Sequence, residues 1–194
     1  MKMFMFAAVF VGIMTSAQAL DAIYRGNSVD EKDAVCYYQG GKFFADKARK
    51  ECLYHHPGNM VAKDQKATPQ NSIYRLMGDK IYKGFSSNKA DCIATIFETK
   101  TNKGNTVGAK IYPGFVVVRD KKEKYEKGVT EIVSFKTARD GINVETIPAL
   151  FTFADGKLYK GDSTDPSACL LTLKGDFSSA RILFIAIEFA GLNK

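Results

Sequence analysis

The sequence predicts a mainly β protein: a single domain of antiparallel hairpins, arranged as an irregular sandwich or as a barrel. Two observations lead to this prediction. A phrase of the form apolar-Tyr-basic-Gly-x-Ser occurs three times, and Gly-Asp or Asp-Gly pairs separate short runs of β-branched and aromatic residues. We expect about three related strand–turn–strand modules, near residues 21–40, 72–97 and 149–174.

The first residues have the features of a secretory signal peptide. Lys2 precedes the apolar run Met3–Met14, and Ala17-Gln18-Ala19 is a small-x-small cleavage site. The run is too short for a transmembrane helix, and no later segment has eighteen consecutive apolar residues. We therefore expect cleavage after Ala19, a periplasmic or secreted protein, and one domain over residues 20–194. A retained N-terminal anchor is the alternative.

The three copies share one local design. "KIYKGFSSNKADCIATI" and "KLYKGDSTDPSACLLTL" align without gaps at an offset of 77 residues, whereas "AIYRGNSVDEKDAVCYY" fits with two extra residues before its cysteine. Glycine allows the chain to bend, and the serine predicts a turn held by side-chain bonds to the backbone. The run that follows predicts a buried strand. The intervals of 58 and 77 residues between tyrosines exclude a regular solenoid. "IYPG" at Ile111–Gly114 resembles the phrase but lacks the serine and cysteine, so we do not count it as a copy.

Two insertions and the C-terminal tail complete the chain. Within residues 40–70, "KFFADKARKECLY" predicts either a short helix or a long loop. Within residues 99–147, two strands flank the charged stretch Arg119–Lys127, which we expect to be a solvated hairpin tip, with a cationic binding finger as the alternative. The tail "SSARILFIAIEFAGLNK" favours a helix that starts at Ser178 or Ser179, ends at Gly191 and plugs one end or one face of the sheet. A fully buried strand is the alternative.

The cysteine count predicts disulfides. Four cysteines in an oxidising compartment suggest two bonds, with three possible connectivities. We favour Cys36–Cys52, which are near neighbours, and Cys92–Cys169, which hold the same position in two copies. A zinc site would need close cysteine pairs such as C-x2-C, which the sequence lacks.

No residue pattern predicts catalysis, a metal or a cofactor. The Gly-x-Ser triplets lack the second glycine of a nucleophile elbow. His55 and His56 adjoin a Pro-Gly break, which indicates a surface loop rather than a catalytic or metal-binding pair. The acidic clusters have no apolar surroundings that would raise a carboxyl pKa. We therefore expect a protein that is not an enzyme.

The charge and the repeated tyrosines suggest binding. The formal net charge is +7 and the pI is about 9.1, which suits an anionic partner. Each copy places a tyrosine beside a cation, and these candidate binding residues are Tyr24, Arg25, Tyr82, Lys83, Tyr159 and Lys160. Packing of half-buried strand tyrosines is the alternative explanation.

We expect an exported, non-enzymatic binding protein, such as an inhibitor or immunity-like protein acting on an envelope or secreted macromolecule. The alternatives are a cationic binder of an anionic envelope polymer or glycan, and a hydrolase whose site has no sequence signature. We expect no nucleic-acid partner, because the predicted export argues against one and no nucleic-acid-binding motif is present.

Overall fold

A computed structural model describes residues 20–63, 66–101, 106–126, 129–139, 142–144, 147–175 and 179–191. The predicted signal peptide lies outside the described residues. The strands are β1 (Asp21–Arg25), β2 (Ala34–Gln39), β3 (Lys42–Phe44), β4 (Cys52–His55), β5 (Met60–Lys63), β6 (Tyr74–Met77), β7 (Lys80–Lys83), β8 (Cys92–Thr101), β9 (Thr106–Pro113), β10 (Val117–Glu126), β11 (Val129–Arg139), β12 (Ile142–Val144), β13 (Phe151–Ala154), β14 (Lys157–Lys160) and β15 (Cys169–Lys174). The helix α1 spans Ser179–Glu188. The predicted mainly β, single-domain architecture is confirmed.

Twelve of these strands close into a barrel. The order around it is β8-β7-β6-β5-β4-β3-β2-β1-β15-β14-β13-β9, and β9 pairs back with β8. Every pairing is antiparallel, and the first and last strands along the chain, β1 and β15, pair with each other. Strands β10 and β11 form a long hairpin, and in the described part of the chain a short pairing of β11 with β8 joins this hairpin to the barrel. Of the two shapes that the sequence allowed, the chain adopts the barrel.

The C-terminal helix lies inside this barrel. A barrel of about eight strands is filled by its own side chains, whereas a larger one encloses space that something else must fill. Helix α1 contacts β8 and β9, and its end reaches β4 on the other side, where Phe189 packs edge-on against Tyr54. Ile182, Ile185 and Ile187 have at most 1% of their surface exposed. The predicted helix is confirmed, and it packs within the lumen rather than on an outer face.

Inward-facing side chains from the wall surround the helix. Every strand of the barrel contributes to a single apolar core, β4 through the partly buried Leu53 and Tyr54. The most deeply buried wall residues alternate with outward-facing ones, as a pleated strand requires. They include Ile23, Phe43, Ala94, Ile111 and Leu158.

The three predicted modules have the same backbone. Strands β1, β7 and β14 are each followed by a glycine with positive φ, at 59° for Gly26, 60° for Gly84 and 70° for Gly161. Each strand carries a register shift just before its tyrosine, and each loop ends in a short 3-10 turn, at Glu31–Asp33, Lys89–Asp91 and Pro166–Ala168. The Gly-Asp and Asp-Gly pairs form tight turns between β6 and β7 and between β13 and β14, as predicted.

The first copy needs no gap, which corrects the sequence alignment. Its loop has the same length as the other two, so Ala34 is the residue equivalent to Cys92 and Cys169. Tyr24 pairs with Ala34, just as Tyr82 pairs with Cys92 and Tyr159 pairs with Cys169. Cys36 lies two residues further along, points into the core and is fully buried.

Both predicted disulfides are wrong. Cys36 and Cys52 lie on β2 and β4, with β3 between them, while Cys92 and Cys169 lie on β8 and β15, four strands apart. Neighbouring strands are about 4.8 Å apart, so even the first pair is separated by roughly 10 Å, beyond the reach of a disulfide. Equivalent positions in the repeat do not predict a disulfide, because in a closed barrel the intervening strands separate them.

The first insertion contributes strands β3, β4 and β5, and the segment predicted as a helix or a loop forms a loop. Residues 45–51 connect β3 to β4, and Asp46 accepts hydrogen bonds from the backbone N–H groups of Lys50 and Glu51. The second insertion contains the β10–β11 hairpin, but the charged stretch is not the predicted tip between two strands. Residues 119–126 belong to β10 and pair with β11, because the hairpin is longer than the sequence suggested. Residues 127–128 at its tip lie outside the described residues, so the role of the stretch Arg119–Lys127 stays a prediction.

Candidate functional site

The two ends of the barrel differ in their connections. At one end, here called the turn end, strands are joined by tight turns such as residues 40–41, 78–79 and 155–156. At the other, here called the loop end, the described connections are residues 26–33, 45–51, 66–73, 84–91 and 161–168. The insertion that holds the β10–β11 hairpin also leaves from this end, after β9. Loops on a rigid scaffold are common places for binding residues, so the loop end is the first candidate surface.

The predicted tyrosines reach the loop end but are buried. Tyr24, Tyr82 and Tyr159 have between 6% and 9% of their surface exposed. Their rings point outward from the barrel, because Ile23, Ile81 and Leu158 beside them point into the core. Burial raises the pKa of Tyr82 and of Tyr159, and a neighbouring cysteine, Cys92 or Cys169, adds to each shift. These rings pack against the loops, as the alternative explanation expected.

The cations beside these tyrosines are exposed. Arg25, Lys83 and Lys160 are the last residues of β1, β7 and β14, which all end at the loop end. Only β15 separates β1 from β14, whereas β7 lies six strands from β1, on the opposite side of the barrel. The structure therefore places the three cations around one rim rather than on one flat face. Their contact with a ligand stays a prediction.

A fourth tyrosine belongs to the same set. Gly26, Gly84 and Gly161 each donate a backbone hydrogen bond to a residue in, or just before, a neighbouring strand. Gly114 likewise donates to the oxygen of Ile93 at 3.0 Å. Tyr112 precedes Gly114 by two residues, and burial raises its pKa to about 12. The "IYPG" sequence at Ile111–Gly114 could have revealed this fourth equivalent position. It was not counted as a copy because the serine and cysteine are missing, and they are missing because the chain enters the second insertion here instead of a short loop.

The loops combine a constant frame with variable exposed residues. Ser28, Ser86 and Ser163 each accept a bond from the backbone N–H two residues later, at 3.0 Å in all three loops. The residue after each glycine differs: Asn27, Phe85 and Asp162. A shared frame that presents different side chains is typical of a recognition surface rather than of repeated catalytic groups.

The loop end carries both signs of charge. The five connections contain six basic residues and eight acidic ones, and the three terminal strand cations bring the basic total to nine. Several acids are already engaged. Asp33 and Asp91 accept hydrogen bonds from the module serines, and Asp162 accepts one from Lys110. That bond, together with the N–H of Ala149, lowers the pKa of Asp162. A surface of balanced charge suits a partner that also carries both signs.

Exposed apolar side chains occur at both ends. Val29 and Phe85 lie in loops at the loop end, with 57% and 40% of their surface exposed. Met77 and Val107 lie at the turn end, with 38% and 40% exposed. The two pairs offer a matched comparison between the ends. The Phe85 ring also holds the guanidinium of Arg75, which lies 4.2 Å from its centre.

The prediction that the histidines lie in a surface loop is correct for His56 but not for His55, which belongs to a strand. His55 is the last residue of β4, and His56 follows it at the turn end. The pKa of His55 is lowered by burial and by the positive charges of Lys42 and Lys66. His56 lines a small cavity of about 10 Å³ between the wall and α1, with Asn59 and Tyr74. Both histidines lie away from the loop end.

A carboxylate joins the helix to the wall near that cavity. The hydroxyl of Tyr54 donates to Glu188 at 2.6 Å. Burial, followed by a hydrogen bond with Glu188, raises the pKa of Tyr74. Two tyrosines on β4 and β6 therefore bind the one carboxylate, which fixes the C-terminal end of α1 inside the barrel. This cluster explains why a glutamate follows the apolar run of α1, and its tyrosine partners could not be predicted from the sequence.

Neither a metal-binding cluster nor a membrane-spanning helix is found among the described residues. Among the described residues, no group of three or more His, Cys, Asp or Glu side chains is placed to hold a metal ion. No helix in the described part of the chain is long and apolar enough to cross a membrane. Comparison with protein-family models, curated proteins and solved structures found no match.

Proposed function

We propose that this chain is an exported, non-enzymatic binding protein that recognises another protein through the loop end of its barrel. One observation carries the proposal: the long connections gather at one end of a closed barrel whose lumen is already filled by α1. A filled lumen favours binding of a macromolecule at the surface over binding of a small ligand inside. An inhibitor or immunity-like role against an envelope or secreted enzyme is the concrete form.

The mixed charge of the loop end favours a protein over a polyanion. A binder of an anionic polymer is expected to present mainly cations, whereas these connections carry slightly more acids than bases. Exposed Val29 and Phe85 add the apolar contact area that protein interfaces use at their centres. A periplasmic or secreted location rests on the leader sequence alone, since the four cysteines form no disulfide that would support an oxidising compartment.

The second candidate is a cationic binder of an anionic envelope polymer or glycan. The exposure of Arg25, Lys83 and Lys160 around one rim supports it. Such a complex would release counterions, so its affinity would fall steeply as the salt concentration rises. A hydrolase remains the least supported reading, because the histidines lie near the turn end and Glu188 already binds two tyrosines.

Capture from envelope and secreted fractions tests the proposal. The bait is the protein from residue 20 to 194, used at low and at high salt. We expect one protein, retained in roughly equal amount at both salts. A bait carrying Val29→Asp and Phe85→Asp should lose it, and the matched bait carrying Met77→Asp and Val107→Asp should keep it.

The outcomes separate the candidates. Retention of a polymer at low salt only, with loss in a bait carrying Arg25→Ala, Lys83→Ala and Lys160→Ala, would favour the cationic binder. A partner lost equally with both aspartate baits would show that the loop end is not the recognition surface. Retention of nothing at either salt would contradict both binding proposals.

A further inference from the structure

A row of side chains, here called the outer row, crosses the outer face of β2, β3, β4 and β5 near the turn end. Lys42 on β3 lies opposite Gln39 on one side and opposite His55 on the other, and His55 lies opposite Ala62. The row faces outward, because Phe43 beside Lys42 belongs to the core. Directly opposite side chains are about 5 Å apart at Cβ, so Lys42 and His55 are close neighbours.

Arg49 adds a cation at one end of the outer row. Its backbone has a φ of 60°, in the left-handed region that is uncommon for residues other than glycine. Its side chain reaches back from the connection of residues 45–51 to the wall, where the guanidinium donates a hydrogen bond to the side-chain oxygen of Gln39. Gln39 is neutral, so this bond does not compensate the charge of Arg49.

Lys66 adds a cation at the other end of the row. Burial lowers the pKa of His55, and the charges of Lys42 and then Lys66 lower it further, so both ammonium groups lie near the imidazole. The side-chain amide of Asn71 donates to the backbone oxygen of Lys66 at 3.1 Å, which fixes the backbone that carries this lysine. The ring therefore lies between one cation of the wall and one cation of a connection.

The His55 ring can offer one hydrogen-bond donor to a ligand. Its Nδ1 atom is buried and has no hydrogen-bond partner among the described residues. A proton on that atom would be a buried, unsatisfied donor, so we assign the proton of the neutral ring to Nε2. Within the described residues, Nε2 is neither buried nor hydrogen-bonded, so its N–H is free to donate between the two lysines.

The cations of this site have no acidic partner. In the part of the chain that the structure describes, Lys42, Arg49 and Lys66 make no ion pair. Other lysines lie 2.6–3.4 Å from a carboxylate, in the pairs Lys47–Glu31, Lys80–Asp79, Lys100–Glu98 and Lys110–Asp162. The uncompensated cations complement an anion. Three positive charges and an N–H suit a divalent, many-oxygen group such as phosphate, whereas one cation is enough to pair a carboxylate.

We propose that the outer wall of the barrel binds a phosphate group between Lys42, His55 and Lys66, with Arg49 at the edge of the site. The two ammonium groups and the Nε2–H of His55 donate to the phosphate oxygens, and Arg49 adds positive charge. The chemistry is the same for a free phosphate and for a phospholipid headgroup, and the experiment separates these sources. The site goes beyond the proposed function and does not depend on it.

Nuclear magnetic resonance of the imidazole signals tests the inference, with inorganic phosphate as the probe. The chain has two histidines, and His56 is the internal control because its ring lines the cavity between the wall and α1. We expect the His55 signal to shift saturably with phosphate, and the pKa of His55 to rise because a bound anion stabilises the imidazolium. The pKa of His56 should not change. Sodium chloride at the same ionic strength should reproduce neither effect.

Charge-matched variants locate the binding. Lys42→Met and Lys66→Met should each weaken phosphate binding roughly fivefold to tenfold, because each removes one charged donor. Lys63→Met removes the same charge on the opposite face of the wall, since Lys63 lies opposite the inward-facing Tyr54, and it should leave the affinity unchanged. The three lysines are exposed, so these variants should fold, and circular dichroism of each one checks this.

Vesicle flotation separates the two sources of phosphate. Flotation with phosphatidylcholine vesicles that contain phosphatidic acid, but not with phosphatidylcholine alone, and its loss in Lys42→Met and Lys66→Met, would assign the site to a lipid headgroup. Binding of inorganic phosphate without flotation would assign it to a free phosphate.

Two results would overturn the inference. One is a His55 signal that does not respond to phosphate or responds equally to sodium chloride. The other is an equal loss of affinity in Lys63→Met, which would show that only net charge matters. Neither result bears on the proposed function, because its capture experiment depends on Val29 and Phe85 and on the matched turn-end pair.

Discussion

Replacement of Ile185 by alanine tests whether α1 is a structural part of the barrel. Ile185 is fully buried between the helix and the wall. The change removes three carbon atoms, worth about 2.4 kcal/mol at roughly 0.8 kcal/mol for each buried methylene. The cavity left behind adds to this, because large-to-small core substitutions of this type cost about 2–5 kcal/mol in all. We expect the free energy of unfolding to fall by about 3–4 kcal/mol.

Thermal unfolding followed by circular dichroism measures this loss. In a domain of this size, about 3 kcal/mol corresponds to a decrease in Tm of roughly 6–12 °C. The control is Met77→Ala at the exposed turn end, where we expect a change within about 0.5 kcal/mol. Equal Tm values for the two variants would refute the reasoning, since they would show that the helix does not fill the lumen in solution.

Three further predictions concern cysteines, loops and pH. Titration with a thiol reagent in denaturant, without reductant, should find four thiols; a count of only two thiols, or of none, would indicate disulfides and contradict the strand separation. Ser86→Ala should cost about 1 kcal/mol, because it removes bonds to Asn88 and Asp91, whereas the neighbouring Ser87→Ala should cost almost nothing; equal urea midpoints would count against this loop frame. The pKa of Tyr112 is raised to about 12 in the fold, so its stabilising contribution is complete below its unfolded pKa of about 10 and declines as the pH rises towards 12. Tyr112→Phe should therefore lose less stability than the original protein between these pH values, and an unchanged alkaline unfolding profile would contradict the assignment.

The β architecture could be predicted from the sequence because the residue patterns that indicate it are local. The Gly-Asp and Asp-Gly turns, the serine-held loops and the helical pattern of the tail each depend on neighbouring residues, and all were found where predicted. The closure of the barrel could not be predicted from the sequence, because it depends on the pairing of β1 with β15, which are far apart in the chain, as well as on the pairing of β8 with β9. The position of α1 depends on that closure, so it could not be predicted either.

The errors have a common physical cause. Cys92 and Cys169 hold equivalent places in their modules, and a flat stack of modules would have brought such residues closer together. In a ring, equivalent places are spread around the circumference, which separates these cysteines by four strands. The same geometry spreads Arg25, Lys83 and Lys160 around a rim.

The most direct test of the central claim is hydrogen exchange of the protein with and without its captured partner. We expect the partner to slow exchange of backbone amides in residues 26–33 and 84–91 at the loop end. Exchange in the tight turns at residues 40–41, 78–79 and 155–156 should be unchanged. Protection confined to those turns would contradict recognition through the loop end.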